Sequence, residues 1–345
     1  MKVSVILPSY NHAPYLEERI ETILVQSFQD FELIILDDKS PDNSADIIEK
    51  YRGHDRISHI IINKDNTGNT FKQWDLGFTL AKGEYIWIAE SDDYSDPKFL
   101  EYCVKALDQN STAIMCFTDS NFVNEKGQAI EDFHLDRTHV IRYKDQSGEP
   151  VVYSGISFVR EHMLFENFIY NASMVLFRRE AVSKISDFYK TFRGCGDWVF
   201  WSEMMMPHDL VHIPLRLNNF RQHTQKVSMS MGQSGDWMLE LPALRLYLYN
   251  RYKLLKKGLN IEDPRRLEYD VVTLATEHLQ SYIDTHYGDL REASQQTHTH
   301  NPNPRKMKVY LFGLLPIYKV KYRARKKRDI HYLFGLIPIA SVKRY

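Results

Sequence analysis

Residues 85–97 read YIWIAESDDYSDP, and this stretch decides how the chain folds and what it gathers at one point. Its first five residues are apolar and predict a buried strand. Three carboxylates then follow within four positions, at Glu90, Asp92 and Asp93. Like charges at this spacing repel one another. We therefore expect an interaction at the end of this strand that compensates for the repulsion.

The strand belongs to a series of alternating strand and helix patterns. Near-continuous apolar segments predict strands over 3–7, 31–36, 57–62 and 85–89. Between them, apolar residues at helical spacing predict helices over 15–27, 44–51 and 70–81. Near-continuous apolar strands joined by helices are typical of a parallel sheet covered on both faces. The sequence therefore predicts an α/β fold.

Three of the predicted strands end in polar clusters: PSYN at 8–11, DD at 37–38 and ESDD at 90–93. In open sheets of this kind, ligands bind beyond the carboxyl ends of the strands. We therefore expect the three clusters to line a single cleft.

A divalent cation would make the crowded carboxylates tolerable. Hard cations prefer oxygen ligands, and Mg²⁺ is commonly held by one or two carboxylates together with phosphates of the substrate. The alternative is a solvated, acidic helix start, with Asp96-Pro97 capping the helix that follows. The other two polar clusters favour the cation.

Composition and charge exclude several classes of protein. The 345 residues are 43% hydrophobic and 26% charged, as in a soluble globular protein, and the net charge of −1 argues against nucleic-acid binding by the whole molecule. The charge is uneven, because residues 305–345 carry twelve Lys and Arg against one Asp, which leaves −12 on the rest. The three cysteines show neither disulfide nor zinc spacing and fit a reducing compartment.

Four motifs together resemble glycosyltransferase family 2. They are VSVILPSYNHAPYLEERIETILVQSFQDFELIILDDKS from Val3, NKDNTGNTFKQWDLG from Asn63, AKGEYIWIAESDDY from Ala81 and GCGDWVFW from Gly194. The resemblance implies a GT-A fold, which is a Rossmann-like, mainly parallel sheet flanked by helices. It also implies an inverting transfer of a sugar from a nucleoside diphosphate sugar to an acceptor hydroxyl, as in bacterial surface-polysaccharide synthesis.

The resemblance assigns nucleotide-sugar contacts to several positions. Pro8 and Tyr10 match the segment that cradles the base, and Asp38 matches the acidic residue that hydrogen-bonds it. Lys72 lies where the family often has a basic residue near the nucleotide, although an exposed helix lysine is an equal alternative. Asp92 matches the residue that approaches the ribose or the sugar.

The resemblance also implies a metal site and a base. Asp93 would ligate Mg²⁺ or Mn²⁺, His223 would ligate the same metal, and Arg221 would close over the diphosphate. Asp197 matches the base that deprotonates the acceptor, with a helix N-cap as its alternative role. Gly196 replaces the acidic residue that often precedes this base, and Glu90 stands where many relatives have Asp, so its role stays open.

The expected domains are a GT-A catalytic domain over 1–230, a helical extension over 231–292, a linker over 293–308 and a basic amphipathic tail over 309–345. The tail repeats itself, since YLFGLLPIYKVK begins at Tyr310 and YLFGLIPIASVK at Tyr332. No apolar stretch reaches the roughly 20 residues that span a bilayer. The tail's cations and aliphatic residues predict contact with an anionic membrane surface, and packing on the catalytic body is the alternative.

The expected partners are therefore a nucleoside diphosphate sugar, with UDP-sugar favoured, a glycan or lipid-linked glycan acceptor, and the inner face of a cytoplasmic membrane. Nucleic acid is not expected, because the tail interleaves its cations with aliphatic residues. A nucleotidyltransferase would normally have a Gly-rich, basic phosphate loop after the first strand, which PSYNHAPY lacks. A non-catalytic sugar-nucleotide or glycan-binding protein of the same fold is the other alternative.

Overall fold

A sheet of nine strands lies at the centre of the first of two units in this computed structural model. The structure describes residues 1–130, 149–224, 226 and 237–255, and the strand segments 307–311, 315–323, 328–333 and 337–343. The first unit comprises Met1–Ser230 and Arg251–Lys257, and the second Met231–Asn250 and Gly258–Tyr345.

The strands of the first unit follow in chain order. They are β1 (Val3–Ser9), β2 (Phe31–Asp37), β3 (Ile57–Ile62), β4 (Tyr85–Ile88), β5 (Tyr94–Ser95), β6 (Ala113–Val123), β7 (Val151–Ser154), β8 (Val175–Arg178) and β9 (Asp209–Arg221). Their order in the sheet is β3-β2-β1-β4-β8-β6-β9-β5, and β7 pairs with β9.

The expected parallel sheet is confirmed for the first four strands. Strand β1 pairs in parallel with both β2 and β4, and β2 pairs in parallel with β3. Beyond β4 the sheet is mixed, because β8 runs antiparallel to both of its neighbours, β4 and β6, while β6 and β9 are parallel.

The structure describes six helices between these strands and a seventh after β9. They are α1 (Ala13–Leu24), α2 (Ser44–Glu49), α3 (Thr70–Leu80), α4 (Phe99–Gln109), the short α5 (Gly155–Phe158), α6 (Gly196–Met205) and α7 (Trp237–Leu255). A π-helical turn covers Val159–Met163, and 3₁₀ turns cover Ala172–Met174, Arg179–Lys184 and Asp187–Thr191. Among the described residues, no helix is long and apolar enough to cross a membrane.

The core forms where the apolar faces of the helices cover the sheet. All seven residues of β1 and all seven of β2 are buried. Leu16, Ile20 and Ile23 recur at helical spacing on α1 and are fully buried in the same cluster as the strands. This packing fixes the carboxyl ends of β1, β2 and β4 side by side, where the polar clusters lie.

The described strands of the second unit form a four-stranded antiparallel sheet. They are β10 (Met307–Leu311), β11 (Leu315–Arg323), β12 (Arg328–Leu333) and β13 (Ile337–Lys343). Each copy of the sequence repeat forms one hairpin, with Tyr310 opposite Pro316 in the first and Tyr332 opposite Pro338 in the second. Most of the helical extension expected over 231–292 and most of the linker expected over 293–308 lie outside the described residues.

Candidate active site

Hydrogen bonds join the three polar strand ends that the sequence singles out. The backbone N–H of Asn11, after β1, donates to Oγ of Ser40, after β2, at 2.9 Å. Nδ1 of His12 lies 2.8 Å from Oγ of Ser91, after β4. Residues within or directly next to the cluster after β1 therefore contact both of the other strand ends, as the expectation of a single cleft requires.

Helix α3 holds these clusters together from one side. Nε2 of Gln73 donates to Oδ1 of Asp38 at 2.8 Å, and the indole N–H of Trp74 donates to Oε1 of Glu90 at 3.0 Å. Within the same turn, the Phe71 ring packs beside Gly196, where a Cβ would lie 2.3 Å from Phe71 Cε2. One turn of α3 thus contacts the ends of β2 and β4 and the start of α6.

Asp38 is surrounded by protein donors. Besides Gln73, its carboxylate accepts from Nδ2 of Asn63 at 2.8 Å and from both the backbone N–H and the hydroxyl of Thr67. The side chain is buried. In this structure Asp38 therefore ties the end of β2 to the end of β3 and to the loop before α3, and its expected contact with the base stays a prediction.

His12, Asp92 and His223 form a candidate metal site. One potential ligand atom from each residue lies within 4.8 Å of the others, and Nε2 of His223 is 2.9 Å from Oδ2 of Asp92. Burial lowers the pKa of His12, so its imidazole is neutral and available as a ligand near pH 7. Burial alone would raise the pKa of Asp92, but the His223 hydrogen bond and the surrounding positive charges lower it, so Asp92 stays ionised.

Asp93, which the sequence analysis expected to bind the metal, has different neighbours. Its carboxylate accepts from Nδ2 of Asn171 at 2.5 Å and from the backbone N–H of Arg221 at 3.1 Å, and its side chain is 1% exposed. Burial, followed by the charge of Asp92, raises its pKa. Within the described part of the chain, the group with metal-ligand spacing contains Asp92 rather than Asp93.

The raised pKa of Glu90 reduces the repulsion among the three neighbouring carboxyl groups. Burial, and next the charge of Asp92, raises the pKa of Glu90 to about 8, against the opposing hydrogen bond from Trp74. In the metal-free site Glu90 is therefore mostly protonated at neutral pH. With Glu90 neutral and Asp93 held by hydrogen-bond donors, Asp92 is the carboxylate that remains available to a ligand.

Two buried arginines, Arg19 and Arg221, lie close to the acidic cluster. Arg19 is fully buried, donates from Nη1 to Oγ of Ser95 at 2.8 Å and stacks over the Trp87 ring. Arg221 donates from Nε to the carbonyl of Asp92 at 2.8 Å, pairs with Glu18 and lies over the ring of Tyr15.

These contacts bear on the expected role of Arg221. Its Nη1 donates to the carbonyl of Glu125 at 2.9 Å, and its Nη2 donates to the Glu18 carboxylate. Since protein groups already engage the guanidinium on each of its nitrogens, Arg221 positions Asp92 in this structure. Its expected contact with the diphosphate stays a prediction.

The remaining residues of the expected nucleotide site occupy different environments. Pro8 lies within β1, paired with Leu36, and is buried, whereas the Tyr10 side chain is 48% exposed at the cleft. Lys72 is exposed on α3, and its Nζ donates to the carbonyl of Thr67 at 3.2 Å. Among Pro8, Tyr10 and Lys72, Tyr10 therefore offers an aromatic ring that is accessible to a ligand.

Asp197, the expected base, lies in the first turn of α6. Nδ2 of Asn167 donates to its Oδ2 at 3.2 Å, and the side chain is half-buried. The N-cap residue of α6 is Cys195, so Asp197 lies inside the helix and is not its N-cap. The helix dipole at this end favours the ionised carboxylate.

The structure leaves no room for a side chain at Gly196, where the family resemblance led us to expect an acidic residue. A Cβ at this position would lie 2.3 Å from Phe71 Cε2 and 2.4 Å from the carbonyl oxygen of Tyr189. No side chain fits without moving the backbone of Tyr189. A second carboxylate beside Asp197 is therefore sterically excluded in this chain.

Sequence reasoning missed several residues of the site. His12 directly follows the polar cluster after β1, and this position was the signal that could have identified it. Asn171 and Arg19 gave no such signal, because each reaches the acidic cluster from elsewhere in the chain, Asn171 from 78 positions beyond Asp93.

Comparison with known proteins places this geometry in a family. The profile described as glycosyl transferase family 2 matches residues 4–185. The poly(ribitol-phosphate) β-N-acetylglucosaminyltransferase TarP of Staphylococcus aureus is 27% identical over 212 residues, which cover 59% of this chain and 58% of TarP. Across eight curated relatives, the matched segment spans from 13% to 67% of the relative's own length.

Two solved structures share the fold. TarS 1–349 of S. aureus in complex with UDP has a TM-score of 0.53 at 17% identity, covering 90% of this chain and 97% of that one. The mannosyltransferase PcManGT of Pyrobaculum calidifontis, in complex with GDP-Man and Mn²⁺, has a TM-score of 0.51 at 14% identity, covering 87% of this chain and 76% of that one. The expected GT-A architecture is confirmed, with a mixed sheet, and the chain belongs to glycosyl transferase family 2.

Proposed function

We propose that this protein is an inverting glycosyltransferase that moves a sugar from a nucleoside diphosphate sugar, with UDP-sugar favoured, to a hydroxyl of a growing surface glycan. The observation that carries the proposal is the meeting of His12, Asp92 and His223 beyond the carboxyl ends of β1 and β4. Ligands of open α/β sheets bind at this edge. The UDP bound to TarS and the sugar-transferring relative TarP support the choice of donor and reaction.

The residues at this edge fit a divalent metal ion. The group offers one ionised carboxylate and two imidazoles, and Nδ1 of His223 is buried without a hydrogen-bond partner among the described residues. Imidazole is a softer ligand than the all-oxygen sets typical of Mg²⁺, so this donor set favours Mn²⁺ between the two expected ions. When bound, such an ion would neutralise charge on the diphosphate as it leaves.

The reaction needs a base on the acceptor side, and we assign this role to Asp197. Its carboxylate takes the proton of the acceptor hydroxyl as the oxygen attacks the anomeric carbon. The bond between that carbon and the diphosphate breaks, and the diphosphate leaves with the electron pair. Asn167 orients the carboxylate by its hydrogen bond to Oδ2.

The acceptor proposed is a glycan or a lipid-linked glycan. TarP acts on poly(ribitol phosphate) by its name, and other relatives are named for chondroitin, hyaluronan and teichuronic acid synthesis. The strongly basic segment 305–345 is suited to an anionic membrane surface, where a lipid-linked acceptor would be found. The choice of a glycan acceptor and its location at a membrane both depend on the proposal that the protein is a glycosyltransferase.

The proposal is tested with wild type and Asp197→Asn. Binding of UDP with Mn²⁺ is measured by calorimetry, and turnover by UDP release from a panel of UDP-hexoses and UDP-N-acetylhexosamines. Loss of a general base lowers rates by about 10²–10⁴-fold, so we expect turnover to fall by this factor while the affinity for UDP stays within about threefold. Asp187→Asn, at a carboxylate that is 87% exposed, serves as the matched control.

The outcomes separate the alternatives. Unchanged turnover in Asp197→Asn removes Asp197 from the base role. Wild-type protein that binds UDP but turns over no donor of the panel supports the non-catalytic sugar-nucleotide-binding protein. Wild-type protein that binds neither UDP nor GDP overturns the proposed function altogether.

A further inference from the structure

Lys226 is a buried cation that the site described so far does not use. Its side chain is 8% exposed, and its Nζ has no hydrogen-bond partner among the residues that the structure describes. An ammonium group carries three donors, and burying them unpaired is costly unless a ligand supplies the acceptors. Such a buried group therefore points to an anionic ligand.

The surroundings of Lys226 place it at the candidate metal site. It follows His223 by three positions, and Asp92 and Asp93 are the carboxylates whose charges act on its ammonium. Its Nζ lies 3.4 Å from the centre of the Phe220 ring. Aromatic contact of this kind holds a cation in place without using its hydrogen-bond donors.

The charge balance indicates what kind of anion would bind. Before a metal ion binds, Asp92 and Asp93 offset Lys226 and Arg19 electrostatically. A divalent cation on Asp92 would leave these buried cations in excess. A ligand with two adjacent phosphates would restore the balance, whereas a single phosphate would restore less of it.

We infer that Lys226 binds the diphosphate of the donor, donating to the phosphate attached to the sugar and stabilising the charge that develops there as the bond to the sugar breaks. The inference rests on the proposed function and adds a residue that specifies diphosphate over monophosphate. Phe220 acts as its positioning residue. Hydrogen bonds to charged groups stabilise more than neutral ones, and here the donor already lies in a desolvated site.

The test compares UDP with UMP in calorimetric titrations of wild type, Lys226→Met and Lys105→Met, all with Mn²⁺. Methionine keeps the length of the side chain and removes the charge, and Lys105 is an exposed lysine of α4. We expect Lys226→Met to weaken UDP binding by about 10- to 100-fold and to leave UMP binding within about threefold, whereas Lys105→Met changes neither.

The ratio of the two affinities is measured in one preparation, so it does not depend on the fraction of protein that is folded. An equal loss of UDP and UMP affinity, or no loss of either, overturns the role of Lys226. If wild type binds GDP instead of UDP, the pair GDP and GMP takes the place of UDP and UMP. Wild-type protein that binds none of these overturns the transferase proposal, which distinguishes that failure from the failure of Lys226.

Discussion

At the scale of single residues, the acidic cluster works because its three carboxyl groups differ in environment. Glu90 is hydrogen-bonded to Trp74 with its pKa raised to about 8, Asp93 accepts from Asn171, and Asp92 meets His223. Glu90 is mostly protonated at neutral pH and Asp93 is held by hydrogen-bond donors, so Asp92 is the carboxylate left available to a ligand. The repulsion expected from the sequence is therefore largely removed by protonation and by hydrogen bonds.

Gly196 carries the residue-scale prediction. Gly196→Ala would force a Cβ against Phe71 and against the Tyr189 carbonyl, which is backbone and cannot rotate away. Overpacking of this kind costs about 1–3 kcal/mol, so we expect the free energy of unfolding to fall by that amount in urea denaturation. An unchanged midpoint would mean that the α6 start has more room than the structure shows.

The coupling to Phe71 can be measured separately. Phe71→Leu removes the ring atoms nearest the new Cβ, so the double variant should lose less stability than the two single variants summed. Strict additivity would contradict the steric explanation.

At the scale of elements, α3 connects the ends of β2 and β4 with the start of α6. Its position in the site depends on Asp38, whose carboxylate accepts from Gln73 on α3 and from Thr67 in the loop before it. The hydrogen bonds of Asp38, at the end of β2, therefore fix the position of α3 beside the cleft.

Asp38→Asn tests this connection. An amide would point donors at groups that already donate, and leaving buried donors unsatisfied costs about 1–3 kcal/mol each. We expect a loss of about 2–4 kcal/mol in the free energy of unfolding, measured by urea denaturation, because more than one donor is affected. Asp65→Asn, at a carboxylate that is 93% exposed, should change it by less than about 0.5 kcal/mol.

If Asp38→Asn lost nucleotide affinity while retaining full stability, Asp38 would act on the base directly and not through the loop. This result would support the role that the family resemblance assigns to it.

Much of this architecture could be predicted from the sequence, for a definite physical reason. Strands β1, β2 and β4 are buried along their whole length, so each appears as a nearly continuous apolar segment, and the polar residues after them meet at one edge of the sheet. The two-residue strand β5 and the antiparallel strand β8 have no comparable pattern.

The division of roles within the site could not be predicted. Asp92 and Asp93 are adjacent and chemically identical, and what separates them is contact with His223, 131 positions from Asp92, and with Asn171. Lys226 was missed for a similar reason, since only its burial and the lack of a hydrogen-bond partner among the described residues distinguish it from other lysines.

At the scale of the whole molecule, the charge is divided between an acidic body and a basic tail. Residues 305–345 carry a net charge of +11, and the remaining residues carry −12. Each basic residue close to an anionic membrane surface contributes about 1 kcal/mol to binding. This asymmetry is the basis of the proposed membrane contact.

Deletion of residues 305–345 should therefore abolish binding to vesicles that contain phosphatidylserine. Sedimentation with such vesicles measures the bound fraction, and vesicles of phosphatidylcholine alone are the control. Binding of the full chain should also weaken as salt is raised from 50 to 500 mM, because the Debye length falls to well below about 10 Å. Equal sedimentation of the two proteins would reject the membrane contact in favour of packing on the body.

The two hairpins of the second unit follow the same plan. Each has its register irregularity at the residue before its tyrosine, between Val309 and Tyr310 in one and between His331 and Tyr332 in the other. If both copies take part in the proposed membrane contact, that contact would be bivalent: once one copy is bound, tethering would raise the effective concentration of the other to about the millimolar range for a short link. Two individually weak contacts would then give a long residence time at the membrane surface, and loss of either contact would be enough to release the protein.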